Sequence, residues 1–372
     1  MKSRARSSGR RPHPRALLVV PSAAALLLGV DAGLDLFDTW APVTGERLRD
    51  SHGVLMVLGF VGSLVSLERA VALRRPVALL APLGLSLGTL AQLHAATAAP
   101  GAWLVVAGAL GLLTVSAVLW RRQRDDAVLV ETMGAVLAVG AALLWRGGVD
   151  VPLLLPWLAG FLVLTIVGER LELARLAMGP RAAPTLLLTT AAFCVCVVAS
   201  LLWPRVGAAG VGLTLAGLTW WLATHDVARR TVRGRGLTRF MGASMLAGQV
   251  WLGVAAGVWL VVGPVTSGGA YDAVVHAVFL GFTMSMVMAH APVILPAVAG
   301  IRLDFHWAMW LPAGLLQVSL VVRLWLGDAL GSGLAHTVGG VLNVVAVLSF
   351  FLVVLGAAAL RATPPVPAGA RP

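Results

Sequence analysis

Residues 271–300 read YDAVVHAVFLGFTMSMVMAHAPVILPAVAG. The stretch is apolar and longer than the ~20 residues that a helix needs to cross a bilayer. It nevertheless holds two histidines, His276 and His290. On an ideal α-helix a fourteen-residue spacing is two heptads, so both fall near one face, roughly 21 Å apart along the axis. One then lies toward each side of a membrane. Ionisable side chains inside a spanning helix point to function, and their partners must come from the rest of the chain.

That rest has the same character. Of 372 residues, 59% are hydrophobic and 12% charged, and the mean hydropathy is +0.90. A soluble domain carries about 25% charged residues, so the expected fold is an all-α polytopic membrane protein in a lipid bilayer. Runs long enough to span occur twelve times, at about 16–36, 51–73, 76–94, 101–120, 127–144, 152–173, 183–203, 206–223, 237–262, 273–299, 307–326 and 333–360. They form one membrane domain over 15–361, between a basic tail at 1–14, which holds His13, and a tail at 362–372. The first run is read as a retained helix rather than a signal peptide.

The net charge of +12 does not indicate nucleic acid. Sorted by alternate loops, Lys2 and 22 arginines fall on one side, against Arg47, Arg49, Arg146, Arg205 and Arg323 on the other. This asymmetry puts both termini in the cytoplasm of a bacterial-type inner membrane. Cys194 and Cys196 are two residues apart on a helix and point to different faces, so packing is their expected use. The absence of CxxCH excludes covalent c-type haem attachment.

The chain also repeats itself. Gly-Phe occurs at Gly59-Phe60, Gly160-Phe161 and Gly281-Phe282, in the second, sixth and tenth spans. Nine residues after each glycine stands a polar group: Glu68, Glu169 and His290. The first two are followed by Arg69 and Arg170. A four-helix period suggests three pseudo-symmetric units, at roughly 15–75, 76–180 and 181–300, with 301–361 closing the ring. The plainer alternative is that small–aromatic pairs recur in any packed membrane helix.

The spans sort the histidines by side. His52, His94, His276 and His336 fall at the outer ends of four different spans, and His225, His290 and His306 at inner ends. A bis-histidine haem needs one imidazole from each of two facing helices at similar depth, and His52 and His276 meet that demand, with Gly53 leaving room beside the first. His94 and His336 are candidates for a second haem or a copper ion; both are also close enough to loops to be simply wet. Arg323 suits a haem propionate, or else snorkels to the headgroups or pairs with Asp328. At the inner ends Glu68, Arg69, Glu169, Arg170, Glu172, His290, Asp304 and His306 form a candidate polar network. Intra-repeat ion pairs holding the three units together are its expected role, and a proton-entry route is the sharper one. Met284, Met286 and Met288 spread over several helix faces and are expected to fill core.

SHGVLMVLGFVGSLVSLERA (51–70) resembles helix 2 of subunit I of haem–copper oxidases, where a His-Gly start carries a low-spin haem ligand; in that family the second ligand comes from helix 10, where this chain has His276. That family also has twelve helices in three arcs of four. HAVFLGFTMSMVMAHAPVILPAVAG (276–300), with HTVGG (336–340), resembles the NnrS family, twelve-helix membrane proteins described as haem- and copper-containing and associated with the response to nitric oxide. The resemblance implies b-type haem, copper as a further cofactor, and nitric oxide or a respiratory redox partner. It fails at the oxidase copper centre. The sixth and seventh spans hold no histidine, and Tyr271 is the only tyrosine. Oxygen reduction is therefore not expected. A proton-coupled transporter using the inner Glu/Arg/His cluster is the alternative, with Pro292 and Pro296 expected to break the tenth span.

Overall fold

The computed structural model describes residues 17–37, 39–174, 178–299 and 305–362, the side chains of 296–299 and 359–362 excepted. The tails at 1–14 and 363–372, with His13, and Asp304 lie outside these residues. The described chain is helical throughout, with no strand. Ten helices are long and apolar enough to cross a membrane. They are α2 (Glu46–Leu73), α4 (Ala95–Gln123), α5 (Asp126–Arg146), α6 (Val151–Ala174), α7 (Ala182–Leu202), α8 (Pro204–His225), α9 (Gly236–Val262), α10 (Gly268–Leu295), α11 (Trp307–Ala329) and α12 (Gly333–Ala358). The runs expected at 16–36 and 76–94 form shorter helices, α1 (Val19–Asp35) and α3 (Pro76–Ala91).

Consecutive helices pack side by side, and α12 touches α1. Small residues allow the closest approaches. A Cβ on Gly84 would lie 3.0 Å from the Gly108 Cα, so α3 and α4 meet backbone to backbone, the usual use of glycine between membrane helices. Ahead of α5, Asp125 caps the helix start by accepting from the Ala127 N–H at 3.0 Å. In the middle, α6 packs on α10, and the C-terminal halves of α2 and α10 pack on each other.

Helices α2 and α10 share a feature that no periodicity rule anticipates. Each contains a π-helical segment, Leu55–Gly62 in α2 and Ala277–Met284 in α10. The preceding α-segments start at Glu46 and Gly268, and the following ones at Ser63 and Ser285. All three boundaries differ by the same 222 residues (268 − 46, 277 − 55, 285 − 63). The Gly-Phe pairs of both helices lie inside these segments. A third π-helical segment, Val321–Ala329, ends α11.

Two sequence expectations change here. A π-helical segment lies between His276 and His290, and one inserted residue takes ~100° out of the helical register, so the two histidines do not keep the single face of an ideal α-helix. Pro292 and Pro296 do not break α10, because the helix runs on to Ala299.

Candidate functional site

Polar side chains gather at two places: the N-terminal ends of α2, α10 and α12 (the histidine end), and the C-terminal ends of α2, α6 and α10 (the arginine-rich end).

At the histidine end, His52 of α2 donates its Nδ1–H to the Gly29 carbonyl of α1 at 2.7 Å. A Cβ on Gly33, one turn along α1, would come within 3.2 Å of the His52 ring, so α1 presents a glycine wall to the imidazole. His276 of α10 donates its Nδ1–H to the Asp272 carbonyl at 2.9 Å, and the Asp272 carboxylate lies 3.0 Å away. Carbonyl and carboxylate oxygens only accept, so both rings carry a hydrogen on Nδ1 and leave Nε2 turned away from these acceptors. No protein group bonds either Nε2 among the described residues. His52, His276, Asp272 and Arg323 share one electrostatic neighbourhood. This is how ligating histidines are held elsewhere: one nitrogen fixed by an outer acceptor, the other free for metal.

Arg323 of α11 is not a free fork awaiting a propionate. It grips Asp272 with Nε at 2.8 Å and Nη2 at 2.6 Å, and its guanidinium lies 4.8 Å over the Phe37 ring. Asp272 therefore links Arg323 to His276. His336 of α12 lies edge-on to Phe37 at 5.3 Å and donates to Asp328 at 2.8 Å. Asp272, Asp328 and His336 bring donor atoms within 4.8 Å of one another. With two carboxylates this set is harder than copper prefers, and Asp272 is already committed to Arg323. His94 does not join His336: it is exposed, and its Nδ1 accepts from the Ala96 N–H at 3.3 Å, capping α4. No hydrogen bond or ion pair connects the two among the described residues.

The arginine-rich end is organised by the repeat. Arg69 of α2 reaches Glu169 of α6 at 3.3 Å. One unit on, Arg170 of α6 reaches Nε2 of His290 of α10 at 2.9 Å. Each arginine thus contacts the polar group of the next Gly-Phe helix, so the shorter bonds run between units and not within them as expected, the Arg69–Glu68 pair within α2 being longer at 3.6 Å. Each also has an acidic partner from a helix outside the Gly-Phe set: Glu131 of α5 lies 2.8 Å from Arg69, and Asp226, just after α8, takes the Arg170 fork at 2.9 and 3.2 Å. His290 donates its Nδ1–H to the Met286 carbonyl at 2.8 Å and so receives the Arg170 bond as a neutral ring. Where a third arginine would follow His290, the chain has Ala291.

Two expected members stand apart. His306 is exposed and caps the start of α11 by accepting from the Ala308 N–H at 3.2 Å. Glu172 is exposed at the rim. His225 stacks on Trp221 with ring centroids 5.1 Å apart. Met284, Met286 and Met288 are buried in the core, and Cys194 and Cys196 are free thiols. Glu131, Asp226 and Asp272 were absent from the sequence-based set. A lone acid within the apolar run of α5 marks Glu131, and the i,i+4 spacing to His276 marks Asp272. Asp226 looks like any loop acid. A cavity of about 200 Å³ lies between α9, α10 and α11, floored by Ser244, Ser285 and Gln317. It is smaller than most cofactor sites and holds no histidine.

No curated protein and no solved structure matches the chain. A family described as a domain of unknown function, DUF8744, matches residues 15–359, and the chain belongs to that family.

Proposed function

We propose that this is a haem-binding membrane protein of NnrS type, with His52 and His276 as the axial pair of a b-type haem near the outer face. The observation that carries the reading is the shared state of the two imidazoles: each has its Nδ1–H held by an oxygen acceptor and its Nε2 turned away from it, and they share one electrostatic neighbourhood. The residues fit the group in other respects. The histidine-bearing segments of α2 and α10 pack less closely on each other than their C-terminal halves do, and Gly33 sets bare backbone against the His52 ring. When bound, a six-coordinate haem supplies one-electron chemistry, its potential set by burial and by the bonds on its ligands. The chain's own part is to orient the rings, to raise the basicity of His276 through Asp272, and to hold Asp272 through Arg323.

The finer architecture belongs to the same proposal: twelve spans in three four-helix units, related to oxidase subunit I, with both termini in the cytoplasm of a bacterial-type inner membrane. The common 222-residue offset of α2 and α10 and the arginine bonds between successive Gly-Phe helices support it. The assigned role, in nitric-oxide tolerance or respiratory haem–copper metabolism, rests on the resemblance to NnrS. Continuity of α10 through Pro292 removes the broken helix on which a transporter reading leaned.

The test is a reduced-minus-oxidised absorption spectrum of the protein purified in detergent from a haem-replete host. Sharp, split low-spin bands are expected. A preparation with no Soret band would sink the reading.

A further inference from the structure

The arginine-rich end does not balance its charges. Four carboxylates, Glu68, Glu131, Glu169 and Asp226, face two guanidiniums, Arg69 and Arg170. His290 adds no charge, because its Nε2 accepts from Arg170. The excess is two negative charges (4 − 2). Arg170 and Asp226 neutralise each other, so the excess sits on the three glutamates around Arg69. If Glu68, whose side chain is 30% exposed, is left to solvent, one buried negative charge still has no counterpart among the described residues. An unpaired buried charge is among the costliest features a protein can carry, and the usual resolution is neutralisation.

Glu131 is where that cost is sharpest. Its side chain is 3% exposed, and neither carboxylate oxygen has a hydrogen-bond partner of sound geometry. It points at Arg69 and into a small gap lined by Leu112 and Ser116 of α4 and by Phe161 and Thr165 of α6. None of those neighbours carries charge. Room for it is built in: a Cβ on Gly168 would come within 2.6 Å of the Glu131 Cγ. Exposure falls stepwise from Glu172 at the rim, through Glu68 and Glu169, to Glu131. Beside this cluster Arg170 is bonded to both Asp226 and His290.

We propose that Glu68, Glu131 and Glu169 around Arg69 form a proton-accepting site that holds at least one proton at neutral pH, with Glu172 and Glu68 as its mouth and Glu131 as its buried end. The proton comes from water at the arginine-rich end and is shared by the three carboxyls as a unit. Ala291 explains why the site lies here. A third arginine at that position would supply the missing positive charge, and its absence leaves a place for a proton.

Infrared spectroscopy tests this on the full-length protein in detergent at neutral pH, with or without pigment, so the outcome is separate from that of the haem reading. The expected result is a protonated-carboxyl C=O band that shifts in heavy water and disappears or moves in at least one of Glu68→Gln, Glu131→Gln and Glu169→Gln. The partly exposed Glu68 gives a variant that keeps the buried packing. Absence of the band in the unmodified protein, or a band untouched by all three substitutions, overturns the proposal. So does stabilisation by sodium ions without any dependence on pH, which would make the missing charge a metal cation.

Discussion

The carboxylate of Asp272 lies 3.0 Å from Nδ1 of His276 and is itself gripped by both forks of Arg323. One aspartate thus sets the orientation of a candidate ligand and neutralises a buried guanidinium. Asp272→Asn keeps the shape and removes the charge. Breaking a buried ion pair from one side costs about 3–5 kcal/mol, so thermal unfolding in detergent is expected at a markedly lower temperature. In the haem reading the potential also rises, because the ring loses its anionic partner; a redox titration reads this. An unchanged melting temperature would show that Arg323 has another counter-charge.

His52→Ala and His276→Ala are each expected to abolish the low-spin absorption bands, whereas His225→Ala, on a ring stacked against Trp221, leaves them intact. Loss of the bands in all three variants would mean that the signal follows general stability and not ligation.

Arg170 serves two partners with one planar fork. Arg170→Ala strands Asp226, whose side chain is 1% exposed, at a cost of about 3–5 kcal/mol. Arg170→Lys retains the charge but cannot satisfy Asp226 and His290 together. Its melting temperature is expected between those of the unmodified protein and the alanine variant. Equality of the lysine variant with the unmodified protein would remove the bond to His290 from the account.

The glycines of the two equivalent helices should respond differently to alanine. At Gly59 a Cβ collides with the Thr89 hydroxyl, so Gly59→Ala costs about 1–3 kcal/mol and Thr89→Ala restores part of it. At Gly281 the collision is with the stem of Trp251. That ring also donates to Gln317 at 2.7 Å, so the loss is larger and Trp251 cannot simply swing aside. Thermal melts of the single and double variants measure both effects.

Much of this was legible in the sequence. A histidine in an apolar run stands out, and His52 and His276 do lie at the same end of two helices of identical build. The Gly-Phe repeat located Arg69, Glu169, Arg170 and His290, which meet as two pairs, Arg69 with Glu169 and Arg170 with His290. What escaped has physical reasons. Hydropathy finds spans but cannot see that Asp226, just beyond a helix end, folds back onto an arginine 56 residues earlier. His94 looked like a ligand and His306 like a member of the inner network because spacing cannot distinguish a helix cap from either, and both turn their Nδ1 to a backbone amide. Nor does any residue pattern yet read as a π-helical segment; the 222-residue offset became visible only with the backbone.

Those segments separate the two ends of α2 and α10 mechanically. A π-helical stretch is a torsional joint: winding one residue back into an α-turn rotates everything beyond it by ~100°. The arginine lattice clamps one side of each joint, and α1, α11 and α12 grip the other. The angle between the His52 and His276 rings is therefore set by the winding of these two joints as much as by the bonds on the rings themselves.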